Sequence, residues 1–211
     1  MTALHFDLDG TLVHHTVPFE ELFDRARREL NLSARPGLYE SYTMAFLDYF
    51  ADCHPEPYRA AMGDLCEEFD LLTEGEAFAE ALVETELSCI EVADGAPELL
   101  AELADDHPLG ILTNGAGRVQ REKLEICGLA AYFETVVASC EVGAGKPDRE
   151  IFGIAREKLP DDEHVFVAGD FERDVLPAQE SGFTGVWLSK SSDSRADNVI
   201  GELSSVRGIV A

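Results

Sequence analysis

The sequence predicts an α/β protein, an open, doubly wound parallel sheet carrying an inserted all-helical cap, and three observations support that expectation. An apolar run suited to a strand, residues 3–8, stands near the start of the chain. From Phe19 to about Glu91 apolar residues recur at helical spacing, with no strand-like run among them. From Asp94 onward strand-like and helix-like segments alternate, the pattern of a parallel sheet covered on both faces.

Taken in chain order, the first strand runs straight into Asp7-Leu8-Asp9-Gly10-Thr11-Leu12. In the helical stretch Phe19, Leu22, Phe23, Ala26 and Leu30 share one face, as do Tyr42, Phe46, Tyr49 and Phe50, and these stripes read as bundle packing. Breaks at Arg35-Pro36-Gly37, His54-Pro55-Glu56-Pro57 and Thr73-Glu74-Gly75 divide the stretch into about four helices. Asp94 then offers an N-cap for a helix over 96–105, followed by strand 109–113, helix 118–127 ended by Gly128, and strand 135–139. Helix 148–158, strand 165–168, helix 174–181 closed by Gly182, and strand 185–188 complete the pattern. Residues 1–13 supply a strand to the same sheet as residues 94–211, so residues 14–93 form an insertion into the core.

Composition narrows the function. Apolar residues make up 45% of the chain, enough for a core without metal or disulfide staples. Asp and Glu number 42 against 16 Lys and Arg, a formal net charge of -26, which repels phosphate backbones and speaks against a nucleic-acid partner. The excess is spread along the chain, and this favours a halophilic surface suited to concentrated salt. Five cysteines without Cys-x-x-Cys spacing argue against a disulfide framework or a cysteine zinc site and point to a reducing compartment. With no signal-like start and no segment suited to spanning a membrane, the expected location is the cytoplasm.

Ligands of an open α/β sheet sit beyond the carboxyl ends of its strands. The residues predicted there are Asp7 and Asp9, then Thr113-Asn114-Gly115, and Gly169-Asp170 with Asp174 after it, while Lys146-Pro147 stands before a helix. Clustered carboxylates of this kind suit Mg²⁺, which takes few protein oxygens and keeps water and phosphate as its other ligands. Thr113, Asn114 and Gly115 offer a small anion cradle, and Lys146, one of four lysines, offers a charge for a phosphoryl group.

Together these motifs resemble the haloacid dehalogenase superfamily over essentially the whole chain. Phe6-Asp7-Leu8-Asp9-Gly10-Thr11-Leu12 is similar to its first motif, Leu112-Thr113-Asn114-Gly115 to the second, Lys146-Pro147 to the third, and Gly169-Asp170 with Asp174 to the fourth. The resemblance implies a Rossmann-like core with a helical cap of the first type. It also implies that Asp7 is nucleophile and Mg²⁺ ligand, Asp9 general acid and base with its carbonyl on the metal, and Asp170 a metal ligand. Asp174 would support the metal directly or through water, and Thr113 and Lys146 would hold the phosphoryl group.

The implied reaction is hydrolysis of a small phosphate monoester through an aspartyl-phosphate. The family's dehalogenases are not expected to keep an acid where Asp9 stands, which favours phosphate chemistry. A 2-haloacid dehalogenase, a phosphomutase and a non-catalytic phosphate-binding regulator remain the alternatives. Gln120-Arg121-Glu122-Lys123-Leu124 with Ala144-Gly145-Lys146-Pro147 looks like the subgroup of small nucleotidases and sugar-phosphate phosphatases. Phosphoglycolate, nucleoside monophosphates and sugar phosphates are the substrate classes it suggests, with specificity in the cap around residues 32–41. Segments 12–18 and 90–94 would act as its hinges. His14 and His15 read as exposed loop or hinge, Cys127 and Cys140 as packing, and Arg118 as surface.

Overall fold

Strand β1 (Thr2–Phe6) is central in its sheet, paired along both edges and buried on both faces by the layers packed on the sheet. In the computed structural model, which describes residues 2–210, it lies between strands Leu109–Thr113 and Glu163–Ala168. The chain divides into two compact units, one reaching His14 and resuming at Glu91, the other His15–Ile90.

After β1 the elements run β2 (Val13–His15), α1 (Phe19–Glu29), α2 (Leu38–Ala51), α3 (Pro57–Glu68), α4 (Gly75–Ser88) and β3 (Ile90–Val92). Next come α5 (Ala96–Leu103), β4 (Leu109–Thr113), α6 (Gly117–Ile126), β5 (Thr135–Ala138) and the short α7 (Ser139–Val142). Then α8 (Arg149–Lys158), β6 (Glu163–Ala168), a π-helical turn (Phe171–Val175), α9 (Leu176–Glu180), β7 (Thr184–Leu188), β8 (Asn198–Ile200) and α10 (Arg207–Val210) close the chain. β2 and β3 pair as a two-stranded sheet.

The first unit is a six-stranded parallel sheet in the order β5-β4-β1-β6-β7-β8. Apolar layers cover both faces, one holding Phe6, Leu99, Leu100 and Val167, the other Phe152, Ala155, Phe166 and Phe183. From β1 the strand order leads to β4 on one side and β6 on the other, so the ends of these three strands emerge side by side at the switch point. In the second unit four helices enclose Phe23, Tyr42, Met62, Leu65, Phe78 and Leu82. There α3 meets the start of α4 through glycines: a Cβ on Gly75 would lie 2.6 Å from the Gly63 Cα.

Local details depart from the sequence reading. β1 ends at Phe6, releasing Asp7 and Leu8 from the strand. Asp94 does not cap α5; Gly95, with φ of 74°, turns the chain into it. The expected helix 174–181 opens instead with the π-turn, where the Asp174 and Val175 N–H groups both donate to the Asp170 carbonyl at 3.2 Å. Pro177 has no N–H to give and its ring crowds the carbonyl four residues back, so a wider turn precedes it. No disulfide joins the cysteines and no helix is long and apolar enough to cross a membrane, among the described residues.

Candidate active site

The loop after β1 is folded tightly enough to aim its acids. The N–H groups of Thr11, Leu12 and Val13 all donate to the Leu8 carbonyl, at 3.2, 2.9 and 3.1 Å, and Gly10 supplies the left-handed φ of 82° that this turn requires. Asp7, 4% exposed, anchors its N–H on the Val167 carbonyl at 3.0 Å. Its Oδ2 accepts the Thr11 hydroxyl at 3.0 Å and its Oδ1 the Lys146 ammonium at 2.7 Å. Thr11 Oγ1 also accepts the Gly169 N–H at 3.1 Å, tying the β1 loop to the β6 loop. Gly169 has to stay small there, since a Cβ would meet the Gly10 carbonyl at 3.0 Å.

Lys146 is buried, and its Nζ places its three hydrogens on Asp7, Asp174 Oδ1 at 3.0 Å and the Leu112 carbonyl at 3.1 Å. The aromatic face of Phe166 lies beneath it, 5.3 Å to the ring centre. Asn114 fixes the lysine's backbone as a peptide group would: its Oδ1 accepts the Lys146 N–H at 2.8 Å and its Nδ2 donates to the Lys146 carbonyl at 2.9 Å. The Lys146–Pro147 peptide is cis.

Asp174, wholly buried, projects from the π-turn and accepts Arg173 Nε and Nη2 at 3.2 and 3.1 Å. Asp170 is more open; its Oδ1 caps the turn by accepting the Arg173 N–H at 3.0 Å. Burial pushes the Asp7 carboxyl above its ordinary value, Lys146 pulls it back, and Asp174 and Asp9 add to the upward push.

Asp9 is gripped from α6. Lys123 Nζ lies 2.8 Å from its Oδ1, and Gln120 Nε2 lies 2.8 Å from its Oδ2. The same Gln120 nitrogen donates to Thr113 Oγ1 at 2.7 Å, so the buried threonine at the end of β4 is joined to Asp9 through one amide. The Gly115 N–H, predicted to serve an anion cradle, donates to Ser139 Oγ at 2.9 Å. The fold therefore gathers the predicted residues into two hydrogen-bonded groups, Asp7 with Lys146 and Asp174, and Asp9 with Thr113 through Gln120. Asp170 stands beside them on the Arg173 turn, and the Asn114 side chain faces the Lys146 backbone.

Thr11, Gln120, Lys123, Ser139 and Arg173 also bond to these residues, although the sequence reading gave none of them a role in the site. The available signal was the spacing of Gln120 and Lys123, three apart on one helix face, with Lys123 among the chain's few lysines. Of the other marked residues, Arg118 pairs with Glu122 at 2.9 Å on the surface, Cys140 is buried, and burial pushes the half-buried Cys127 thiol up. His14 is exposed, while His15 Nε2 lies 3.2 Å from Glu86 Oε1 inside the helical unit. The expected specificity segment lines a cleft of about 240 Å³ bounded by Arg27, Arg35, Pro36 and Tyr39.

No three His, Cys, Asp or Glu side chains converge as a ready metal-ligand set among the described residues. The Lys146 ammonium stands between Asp7 and Asp174, and Arg173 clasps Asp174. The donor chemistry still fits Mg²⁺, because all the anionic groups here are carboxylates and Mg²⁺ needs only one or two of them beside water and phosphate.

A family model described as haloacid dehalogenase-like hydrolase matches residues 1–182. The pyrimidine 5'-nucleotidase YjjG of Escherichia coli is 38% identical over 117 residues, 54% of this chain and 50% of its own length. Validoxylamine A 7'-phosphate phosphatase of Streptomyces hygroscopicus subsp. limoneus is 27% identical over 211 residues, 96% of this chain and 94% of its own. The chain spans about half the length of YjjG and several other curated relatives that it matches. Among solved structures, a 2-haloacid dehalogenase from Pseudomonas syringae pv. Tomato DC3000 shares the fold, with a TM-score of 0.77 and 24% identity over 100% of this chain and 98% of that one.

Proposed function

The chain belongs to the haloacid dehalogenase-like hydrolases, and from that premise we propose that it is a Mg²⁺-dependent phosphatase that hydrolyses a small phosphate monoester through an aspartyl-phosphate on Asp7. The observation that carries this reading is the pair of carboxylates two residues apart, each held by its own lysine: Asp7 by Lys146 at 2.7 Å and Asp9 by Lys123 at 2.8 Å. A buried nucleophile and a more open carboxylate beside it divide the work that phosphoryl transfer to a side chain requires.

In the first step an Asp7 oxygen forms a bond to phosphorus as the bond to the leaving alcohol breaks. Asp9 delivers the proton that the departing oxygen takes up. Lys146, already against Asp7, offsets the charge on the transferring group, and Thr113 supplies a hydroxyl at the same strand-end face. In the second step Asp9 takes a proton from water, the water oxygen bonds to phosphorus, and the Asp7–phosphorus bond breaks to give inorganic phosphate. Asp7, Asp170 and the Asp9 carbonyl would hold Mg²⁺, which would supply neutralisation of the charge between the anionic nucleophile and the anionic substrate. Asp174, engaged by Lys146 and Arg173, supports the site by holding those cations.

The names of YjjG and the validoxylamine phosphatase favour a phosphorylated small molecule as substrate, a nucleoside monophosphate or a sugar phosphate being the nearest classes. The dehalogenase shares the fold, which does not fix the reaction. Asp9 favours phosphate esters, since displacement of halide calls for no proton on the leaving group. The test is phosphate release from a panel of monoesters with saturating Mg²⁺, together with acid-quenched mass analysis of the peptide containing Asp7. A phosphoryl mass on that peptide, activity abolished by chelator, and an inactive but folded Asp7→Asn are expected. Halide release from a 2-haloacid with no phosphatase activity would overturn the reading.

A further inference from the structure

Asp9 has to keep one orientation while its proton passes first to a leaving alcohol and later comes from water, yet its side chain is 31% exposed, at the tip of a loop. The restraint comes from one turn of α6. Gln120 and Lys123, three residues apart, are each only 2% exposed, and both reach the same carboxylate. Burying an ammonium and an amide at that depth is costly unless their partners are fixed. Here the partners are the two different oxygens of Asp9, so the pair sets both the position and the plane of the carboxylate.

We propose that Lys123 and Gln120 are the positioning residues of the acid–base group, a clamp that holds Asp9 for proton exchange, and this rests on the phosphatase reading above. Each Asp9 oxygen gives one lone pair to the clamp, Oδ1 to Lys123 and Oδ2 to Gln120. The remaining lone pairs are left for the proton it exchanges with the leaving oxygen or with water. Gln120 adds register, because its nitrogen also holds Thr113 at 2.7 Å and so joins Asp9 to the end of β4. Lys146 serves Asp7 and Asp174 while Lys123 serves Asp9, so two of the four lysines are buried against these carboxylates.

The experiment exploits leaving groups. An alkoxide needs a proton as it departs, whereas p-nitrophenolate departs with little help, so losing the hold on Asp9 should slow alkyl phosphates far more. Single-turnover release of alcohol is measured for an alkyl phosphate and for p-nitrophenyl phosphate in Lys123→Met, Lys123→Arg, Gln120→Leu, Asp9→Asn and the Asp9→Asn/Lys123→Met double variant. The alkyl-to-aryl rate ratio should fall about tenfold or more in Lys123→Met and Gln120→Leu, a share of the roughly 10²–10⁴-fold that a general acid supplies. Lys123→Arg should restore part of it, and the double variant should be no slower than Asp9→Asn alone. Equal losses on both substrates, or losses that add to those of Asp9→Asn, would show that the clamp only braces the fold and would overturn the inference. If Asp9→Asn itself leaves the ratio unchanged, the phosphatase mechanism fails and the inference falls with it. If Asp9→Asn lowers the ratio and the clamp variants, folded by circular dichroism, do not, the inference alone fails.

Discussion

Residues 15–90 and the strand-end face of the sheet bury opposite kinds of side chain. The helical unit is closed by Phe23, Met62, Leu65 and Phe78, with one polar knot in which His15 and Tyr58 meet the two oxygens of Glu86 at 3.2 and 2.9 Å. It contains no lysine, and ion pairs such as Arg59 with Glu76 lie at its surface while the buried Arg27 pairs with Asp24. The strand ends and the adjoining turn of α6 bury Asp7, Thr113, Gln120, Lys123, Lys146 and Asp174. Burial of charge is costly, and the strand-end face holds Asp7, Lys123, Lys146 and Asp174 buried, where the helical unit buries Arg27 and Glu86. All four lysines, Lys123, Lys146, Lys158 and Lys190, belong to the sheet unit.

The sharpest way to break that contrast is Lys146→Met. It leaves Asp7 and Asp174 facing each other with Arg173 alone to compensate, and loss of one partner from a buried ion pair costs about 3–5 kcal/mol. Turnover should fall by about 10²–10³ or more, as when a preorganised electrostatic contact is removed. Denaturant unfolding and kcat on the same preparation check both; a stable variant with more than a tenth of wild-type activity would mean that the network is structural ballast. In the helical unit the comparable site is Phe78 on α4, fully buried with its ring 5.2 Å from that of Phe23 on α1. Phe78→Ala should cost about 3–5 kcal/mol through the cavity it leaves. Chelator-sensitive phosphate release, assayed below the variant's melting midpoint, should persist. Loss of that activity in a folded variant would erase the distinction between the two regions.

Much of this was legible in the sequence because strands buried on both faces are apolar runs and the motif residues are close neighbours in the chain. Asp7 and Asp9 share one turn, and Thr113, Asn114 and Gly115 are consecutive. The three-residue strands β2, β3 and β8 are too short to show a period, and Gly95 displaced Asp94 at the start of α5 through backbone conformation, which side-chain capping rules do not weigh. The run holding Gln120 and Lys123 stood out in the sequence, but its role did not, because its partner is more than a hundred residues away and the parallel register of β1 with β4 brings α6 to Asp9. The commitment of Asn114 to the Lys146 backbone is likewise a tertiary fact.

A milder probe sits on β1, the strand that leads into Asp7, two residues before it. His5 is fully buried, with Nε2 3.3 Å from His164 Nδ1 and Phe183 edge-on to its ring. Burial first, and the neighbouring His164 second, push its pKa down from 6.5 to about 3. Between those values the unfolded chain binds a proton at this position that the folded chain does not, so stability falls as pH drops from about 6.5 toward 3 and is unaffected above that window. The slope from this residue approaches about 1.4 kcal/mol per pH unit. Unfolding free energy measured between pH 7.5 and 5 should decline less steeply in His5→Leu than in wild type. Parallel curves would show that His5 is not the buried neutral base.

The smallest expected effect separates surface charge from buried charge by salt. At molar KCl the screening length is about 3 Å, so the repulsion among the excess acids behind the net charge of -26 is quenched, while apolar burial is not weakened. The wild-type thermal midpoint should rise from dilute buffer to molar KCl, by about 2–4 °C for each kcal/mol of repulsion removed. Ion pairs out of solvent contact are screened far less, and the side chains of Lys146 and Asp7 are 1% and 5% exposed. The midpoint difference between wild type and Lys146→Met should therefore stay nearly constant over the same salt series, even as both midpoints climb. A flat or falling wild-type midpoint would refute the halophilic reading of the surface. A difference that shrinks with salt would show that the strand-end charges are as open to ions as those on the helices.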